Sequence, residues 1–250
     1  MVPNLDFVSL IEEQAEMLPH ACAVIVNGDK TSYRQLNRRA NKLARYLLHR
    51  GLGPSSKVAV LLPLTTDFIV ALLAVLKIGG SYLALDSNLS ASLLNTMVVS
   101  AGVEMVLTDF KQRHLFNTLA NPKLTFMGYV HDDLSAYCGG NIESPIDPRL
   151  PACTSLIPCY GTREHKIVDS RVDGEEDIVL QQINISRLTM SHFLLARLDR
   201  STRKYFLTTL SALKTLCLPQ LFLPIIQGAT LVLVPCKYAC DAILAHNIVN

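Results

Sequence analysis

The feature that most constrains this sequence is an alternation of short apolar runs and helix-length segments between residues 57 and 107. Continuous apolar runs of strand length occur at Lys57–Leu62, Ser81–Leu85 and Glu104–Leu107. Thr66 and Ser90 are candidate caps of the two helices between them, and glycines follow each helix-length segment. Continuous apolar strands are typical of a sheet covered on both faces, and a helix between two such strands connects them in parallel. The pattern predicts an α/β fold, a layered and mostly parallel sheet with flanking helices.

The first fifty residues add a helix, a hairpin and a second helix. The apolar spacing predicts a helix over Val8–Met17 and a strand over Ala23–Val26. Asn27-Gly28 then supplies the turn of a tight hairpin, because both residue types tolerate positive φ. Ser32 and Gln35 have the spacing of a capping box, which predicts that the next helix begins there.

This second helix has a basic face, which we interpret as a solvated surface rather than a ligand site. Its members are Arg38, Arg39, Lys42 and Arg45. The whole chain has 23 Lys and Arg residues against 21 Asp and Glu residues, a net charge of +2. That balance gives no electrostatic reason to expect nucleic acid or an acidic membrane as a partner. The longest uninterrupted apolar run, Phe68–Leu76, has nine residues, and a membrane-spanning helix needs about 18.

The cysteines and the N-terminus predict a reducing, cytoplasmic location with free thiols. Seven cysteines are an odd number, and residues 1–6 lack the basic and apolar regions of a signal peptide. Cys236 and Cys240 form an isolated C-x-x-x-C pattern without a second pair at metal-ligand spacing. We therefore predict no metal site.

Changes in composition divide the chain into three segments. Residues 1–120 form the α/β segment described above. Residues 121–178 are rich in proline and end in acidic residues, which predicts a loop or linker. Residues 179–250 form a second α/β segment, with strands predicted at Tyr205–Leu210 and Thr230–Val234 and a proline-interrupted helix at Leu213–Ile226.

Several of these segments carry the signatures of a known family in the correct order. Residues 31–47 read TSYRQLNRRANKLARYL, residues 58–63 VAVLLP, residues 72–86 LLAVLKIGGSYLALD, residues 101–109 AGVEMVLTD and residues 222–235 FLPIIQGATLVLVP. The sequence resembles the adenylate-forming (AMP-dependent synthetase and ligase) enzymes, in particular the adenylation domains of nonribosomal peptide synthetases. The resemblance implies a fold equivalent to the first part of the large N-terminal domain of such an enzyme.

The resemblance also implies ATP and Mg²⁺ as cofactors and a Ser/Thr/Gly-rich loop with a lysine that holds the phosphates. In this family a carboxylate attacks the α-phosphate of ATP, and a thiol then accepts the acyl group. The nearest sequence is CYGTREHKIV at residues 159–168, where Gly161, Thr162 and Lys166 match family positions. Glu164 adds a negative charge and the run of small residues is absent, so we expect an eroded phosphate loop.

The acid-binding position implied by the family also differs. Amino-acid-activating members hold the substrate ammonium with an aspartate, and the corresponding position here lies near Thr215, beside Lys214. A hydroxyl cannot pair with an ammonium, and a lysine repels it. The family's adenine-binding motif, ribose-binding aspartate, hinge and C-terminal domain all follow the segment matched at Pro235. We therefore expect an incomplete domain whose apolar surface around Phe222–Val234 is uncovered.

Three functions remain open at the level of sequence. The first is a truncated, degenerate adenylation-domain protein linked to secondary metabolism that does not form an acyl adenylate alone. The second is an active ATP-dependent ligase for an amino, aryl or keto acid, completed by a partner chain. The third is a non-catalytic module that docks on a synthetase. For each of them the resemblance implies a synthetase or a carrier-protein-bearing chain as partner.

Overall fold

The structure is a computed structural model of the 250-residue chain. It describes residues 7–87, 89–116, 123–126, 133–142, 150–158, 178–184, 205–209 and 218–234. The described helices are α1 (Phe7–Met17), α2 (Tyr33–His49), α3 (Thr66–Lys77), α4 (Ala91–Ser100) and α5 (Leu218–Ile226), with short 3₁₀ segments at Phe110–Phe116 and Leu134–Ala136.

The described strands form two sheets. They are β1 (Cys22–Val26), β2 (Asp29–Ser32), β3 (Lys57–Leu61), β4 (Ser81–Ala84), β5 (Met105–Thr108), β6 (Lys123–Phe126), β7 (Pro151–Pro158), β8 (Ile178–Asn184), β9 (Tyr205–Thr209) and β10 (Thr230–Val234). The larger sheet has six strands in the order β6-β5-β3-β4-β7-β8, and only β8 is antiparallel to its neighbour. The smaller sheet has the order β2-β1-β10-β9, with β2 antiparallel. The predicted α/β class with a mostly parallel sheet is confirmed.

Local sequence signals explain where the first elements begin and end. The Ser32 hydroxyl accepts from the Gln35 amide at 3.2 Å, and the Gln35 side chain accepts from the Ser32 amide at 2.9 Å. The predicted capping box is therefore confirmed as the start of α2. After α3, Gly79 has a φ of +71°, and a Cβ on Gly80 would lie 3.1 Å from the carbonyl oxygen of Ser56. The glycine pair thus allows both the helix end and the close approach of two backbones.

The central helix layer lies between the two sheets. Helix α3 contacts β1 of the smaller sheet as well as β3 and β4 of the larger sheet, and it packs along α2. It is apolar on all sides and buried from Phe68 to Lys77. Helix α4 covers the opposite face of the larger sheet, where Leu94 and Met97 pack against Leu61 and Leu83. The two faces of the larger sheet are therefore both covered, as its apolar strands predict.

Two sequence expectations about the second half are wrong. The stretch assigned to loop or linker contains β6 and β7, and β7 pairs in parallel with β4 through Tyr82 and Cys153. The prolines at both ends of β7 concealed the strand, because proline is rare inside strands. The apolar surface around Phe222–Val234 is covered, since Phe222 and Leu231 are fully buried against the main core. The segment boundaries at residues 120 and 178 stay predictions.

Candidate functional site

The parallel strands of the larger sheet end together at one edge. Register pairs Val60 with Ala84 and Leu61 with Thr108, so β3, β4 and β5 all finish at this edge. Strand β7 runs parallel to β4 and finishes at the same edge. Open α/β sheets bind their ligands in the crevice outside the carboxyl ends of the strands. This edge, which we call the carboxyl edge, is therefore the candidate site.

The described part of the carboxyl edge carries three aspartates, one after each of three strands. Asp67 lies in the first turn of α3, Asp86 follows β4 and Asp109 follows β5, and all three are partly buried. Arg39 of α2 forms an ion pair with Asp67. Ionised carboxylates accept but do not donate hydrogen bonds, so these three side chains are not by themselves a site for the phosphates of ATP. Among the described residues, no group of three or more His, Cys, Asp or Glu residues has the arrangement of a metal site.

The candidate phosphate loop connects two paired strands at the carboxyl edge. Strands β7 and β8 form an antiparallel pair in which Pro158 lies opposite Ile178. Both ends of the connection over residues 159–177 are thus held at the carboxyl edge. The three candidates Gly161, Thr162 and Lys166 lie outside the described residues. Their role in phosphate binding stays a prediction.

The other sequence candidates of the second half also lie outside the described residues. Thr215 and Lys214 belong to residues 210–217, which connect the end of β9 to the start of α5. Cys236 and Cys240 follow β10. The predicted absence of a metal there remains a prediction.

The basic face of α2 is not simply solvated. Arg39 pairs with Asp67, as described above, and Arg45 donates to three backbone carbonyl oxygens: that of Cys138 at 2.9 Å, that of Gly140 at 2.6 Å and that of Asn141 at 3.0 Å. Sequence reasoning missed these contacts, because backbone carbonyls have no residue-type signal. The interpretation of the whole face as solvated is therefore wrong for Arg39 and Arg45.

Two asparagines of α2 reinforce the same contact. Asn37 and Asn41 donate from their Nδ2 atoms to Oδ1 of Asn141 at 2.8 and 3.0 Å, and Asn41 also reaches the carbonyl oxygen of Gly139. Asn41 is fully buried. A buried side-chain amide with hydrogen-bond partners fixes geometry strongly, because breaking its bonds leaves polar groups without water. These contacts hold residues 138–141 on the α2 surface, ahead of the strand β7 that leads to the candidate loop.

Burial raises the pKa of one described thiol, that of Cys22, and of two described phenols, those of Tyr33 and Tyr82. Cys22 and Cys138 are free thiols, and partial burial raises the pKa of Cys22 above its ordinary value. Burial likewise raises the pKa of Tyr33 and of Tyr82, both fully enclosed. A nucleophilic thiol needs a lowered pKa, and the pKa of Cys22 is shifted in the opposite direction. In the part of the chain that the structure describes, no helix is long and apolar enough to cross a membrane.

Comparisons with known proteins agree with this architecture. The protein family described as AMP-binding enzyme matches residues 11–143. Bacitracin synthase 3 of Bacillus licheniformis is 34% identical over 141 residues, which cover 56% of this chain and 2% of that protein. The chain spans between 2% and 7% of the length of the first curated relatives that it matches.

Two solved structures show the same fold. The nonribosomal peptide synthetase FmoA3, in its AMPPNP-bound form, superimposes with a TM-score of 0.75 at 22% identity over 94% of this chain and 23% of that chain. The inhibitor-bound N-terminal domain of FACL13 from Mycobacterium tuberculosis gives a TM-score of 0.78 at 16% identity, covering 98% of this chain and 60% of that domain. The predicted equivalence to the large N-terminal domain of adenylate-forming enzymes is confirmed at the level of the fold.

Proposed function

Because this chain belongs to the AMP-binding enzyme family, we propose that it is a nonribosomal-peptide-synthetase-like adenylation-domain protein of secondary metabolism that does not form an acyl adenylate unaided. The family relationship and the likeness to synthetase adenylation domains support the first part of this proposal. The loss of unaided activity rests on the residues of this chain.

One contrast carries the proposal. The scaffold of the carboxyl edge is intact, with β3, β4, β5 and β7 in parallel and α3 between β3 and β4. The connection between β7 and β8, in contrast, keeps only Gly161, Thr162 and Lys166 of the phosphate-binding positions. It also contains Glu164, whose carboxylate repels the β- and γ-phosphates. The scaffold is retained, whereas few of the residues that would bind the phosphates are retained. This contrast supports the proposal that the chain does not form an acyl adenylate unaided.

The chemistry of adenylation explains why these donors matter. A substrate carboxylate attacks the α-phosphate of ATP, the bond from the α-phosphorus to the bridging oxygen breaks, and pyrophosphate leaves. Negative charge then develops on the leaving group and must be met by amides, hydroxyls and a lysine. In this chain Thr162 would donate a hydroxyl and Lys166 a charge to the phosphates. Neither the described carboxyl edge nor these few donors supply a full cradle for ATP and Mg²⁺.

The test is ATP–pyrophosphate exchange by the 250-residue chain over a panel of amino, aryl and keto acids. We expect no acid-dependent exchange above the background without acid. Exchange that depends on one acid and disappears in Lys166→Ala contradicts the proposal and places the phosphate site in the β7–β8 connection. Lys111 is an exposed lysine of the 3₁₀ segment Phe110–Phe116. The variant Lys111→Ala is therefore the matched control for the loss of one positive charge.

A second candidate function is a ligase that a partner chain completes. The retention of Thr162 and Lys166 at family positions favours it. In that case ATP raises the melting temperature of the chain only after the partner is added, and exchange activity appears with it. A chain that co-purifies with a synthetase but shows no effect of nucleotide is instead a docking module.

A further inference from the structure

The exposed side of α2 carries a row of cations at four-residue spacing. Arg34 and Arg38 are exposed and Lys42 is partly buried. Residues four apart lie on the same face of a helix and rise by about 6 Å, so the row is about 12 Å long. We call Arg34, Arg38 and Lys42 the α2 basic row.

The α2 basic row has no described counter-ion, unlike the other cations of this helix. Residues 33–49 contain no Asp or Glu. Arg39 has Asp67 as its partner, and Arg45 is bound to backbone carbonyls. Within the described ranges, neither ion pair involves a residue of the row. Like charges four residues apart destabilise a helix, so the row does not serve the stability of α2.

The surface under the row is fixed in place. The capping box sets the start of α2, one residue ahead of Arg34. Residues 138–141 lie beside the row, held by Asn41 and Arg45. A Cβ on Gly139 would lie 3.1 Å from Nε of Arg38, so a glycine there leaves room for the arginine. The backbone that carries the row is therefore already in place before a partner binds, which lowers the cost of ordering on binding.

The composition of the row favours a protein partner over nucleic acid. The aromatic residues of α2, Tyr33 and Tyr46, are buried and offer no stacking surface to bases. The chain as a whole has a net charge of only +2. Carboxylates at every fourth position of a facing helix match the spacing of the row.

We propose that the α2 basic row is a docking surface for an acidic helix of a partner protein. The proposal is independent of adenylation, because the row faces away from the core and includes none of the candidate phosphate-binding residues. It gives the docking alternative a specific surface and a specific chemistry.

The experiment measures binding of a fluorescein-labelled, alanine-rich helical peptide with Glu at every fourth position. Fluorescence anisotropy with the full 250-residue chain gives the Kd at low salt and at about 0.15 M salt, where the Debye length is about 8 Å. We expect binding of this peptide and none of a peptide with Gln at the same positions. Arg34→Gln with Arg38→Gln should weaken binding about tenfold, and added salt should weaken binding to the native chain.

Two matched variants make the test specific. Lys111→Gln with Arg113→Gln removes the same charge from exposed positions of another element, and we expect less than about a twofold change. Arg34→Lys with Arg38→Lys keeps the charge and should keep binding, and Lys42→Gln tests the row with one change if the double variant fails to fold. Equal losses in both double Gln variants, equal binding of the Gln peptide, or tighter binding of a single-stranded oligonucleotide of equal charge would each overturn the proposal.

Discussion

The two sheets of this molecule are assembled from different distances along the chain. In the larger sheet β3 pairs with β4 and β5, all within residues 57–108. In the smaller sheet β1 pairs with β10, so that Val24 lies opposite Leu231. Local connections make the β5-β3-β4 part of the larger sheet readable from the order of its elements. The pairing of β1 with β10, in contrast, forms only when the two ends of the described chain meet.

Side-chain hydrogen bonds join these distant parts. The Tyr33 hydroxyl at the start of α2 donates to the Ala229 carbonyl oxygen at 2.6 Å and lies 3.1 Å from that of Ile225. The Thr230 hydroxyl donates to the carbonyl oxygen of Cys22 at 2.8 Å. One continuous apolar core includes residues of both sheets, among them Val24, Val58 and Leu231. The difference in connectivity therefore does not imply two folding units, and the predictions below test that conclusion.

The largest effect is expected from Phe222→Ala in α5. Phe222 is fully buried in the core that both sheets share, and removing a buried phenyl group costs about 3–5 kcal/mol of unfolding free energy. Urea unfolding measures the loss, and Phe110→Ala, at a site that is 51% exposed, is the control with less than about 1 kcal/mol. If hydrogen exchange shows faster opening of β1, β9 and β10 with unchanged protection of β3–β5, the two sheets are separate units.

Lys77→Ala, at the end of α3, should lower the unfolding free energy by about 3 kcal/mol. Lys77 is almost completely buried and forms an ion pair with Glu12 of α1. Removing the lysine leaves a largely buried carboxylate without its cation. Thermal unfolding of Lys77→Ala, Glu12→Gln and the double variant measures the coupling. Additive effects would show that the pair does not tie α1 to the central layer.

The parts of this fold that can be predicted from sequence are those built from contacts close along the chain. The elements from α1 to β5 match the predicted ones to within about two residues at each end, because apolar runs, caps and glycine stops all agree there. The start of α3 shows the limit, since Thr65 and not Thr66 is the capping residue. Neither the β1–β10 pairing nor the contacts of Arg45 with carbonyls near residue 140 have a local signal. The candidate phosphate loop is predicted from the family resemblance, and its residues lie outside the described part of the chain.

Alkaline pH should destabilise the protein through two buried phenols. One of them belongs to the larger sheet, and the other contacts the segment that precedes β10 of the smaller sheet. Tyr82 lies in β4 of the larger sheet, and the Tyr33 hydroxyl donates to the carbonyl oxygen of Ala229, just before β10 of the smaller sheet. Burial raises the pKa of both phenols. Above the ordinary tyrosine pKa of about 10 the unfolded chain releases these protons while the native chain retains them. The free energy of unfolding therefore falls by about 1.4 kcal/mol per pH unit for each phenol. Urea midpoints measured between neutral pH and pH of about 11 test this, and a flat profile contradicts it.

Tyr33→Phe should lower the unfolding free energy by about 1–3 kcal/mol. The loss should appear first in the segment from Ile225 to β10, which the Tyr33 hydroxyl contacts. The substitution keeps the ring but leaves the carbonyl oxygens of Ile225 and Ala229 without this donor. We expect faster hydrogen exchange in β10 than in β3, and a smaller alkaline loss than in the native chain. Tyr46→Phe is the control, because its ring packs against Tyr137 and its substitution removes no described hydrogen bond.

The smallest effect is expected from the residues that cap the starts of helices α2 and α3. Ser32 and Gln35 exchange two hydrogen bonds at the start of α2, whereas the Thr65 side chain makes no capping hydrogen bond at the start of α3. Ser32→Ala should therefore cost about 1 kcal/mol of unfolding free energy. Thr65→Ala should cost less than about 0.5 kcal/mol, because α3 is held by burial on all sides rather than by its cap. Urea unfolding of the two variants measures the difference, and a larger loss in Thr65→Ala would show that local signals do not determine where these helices begin.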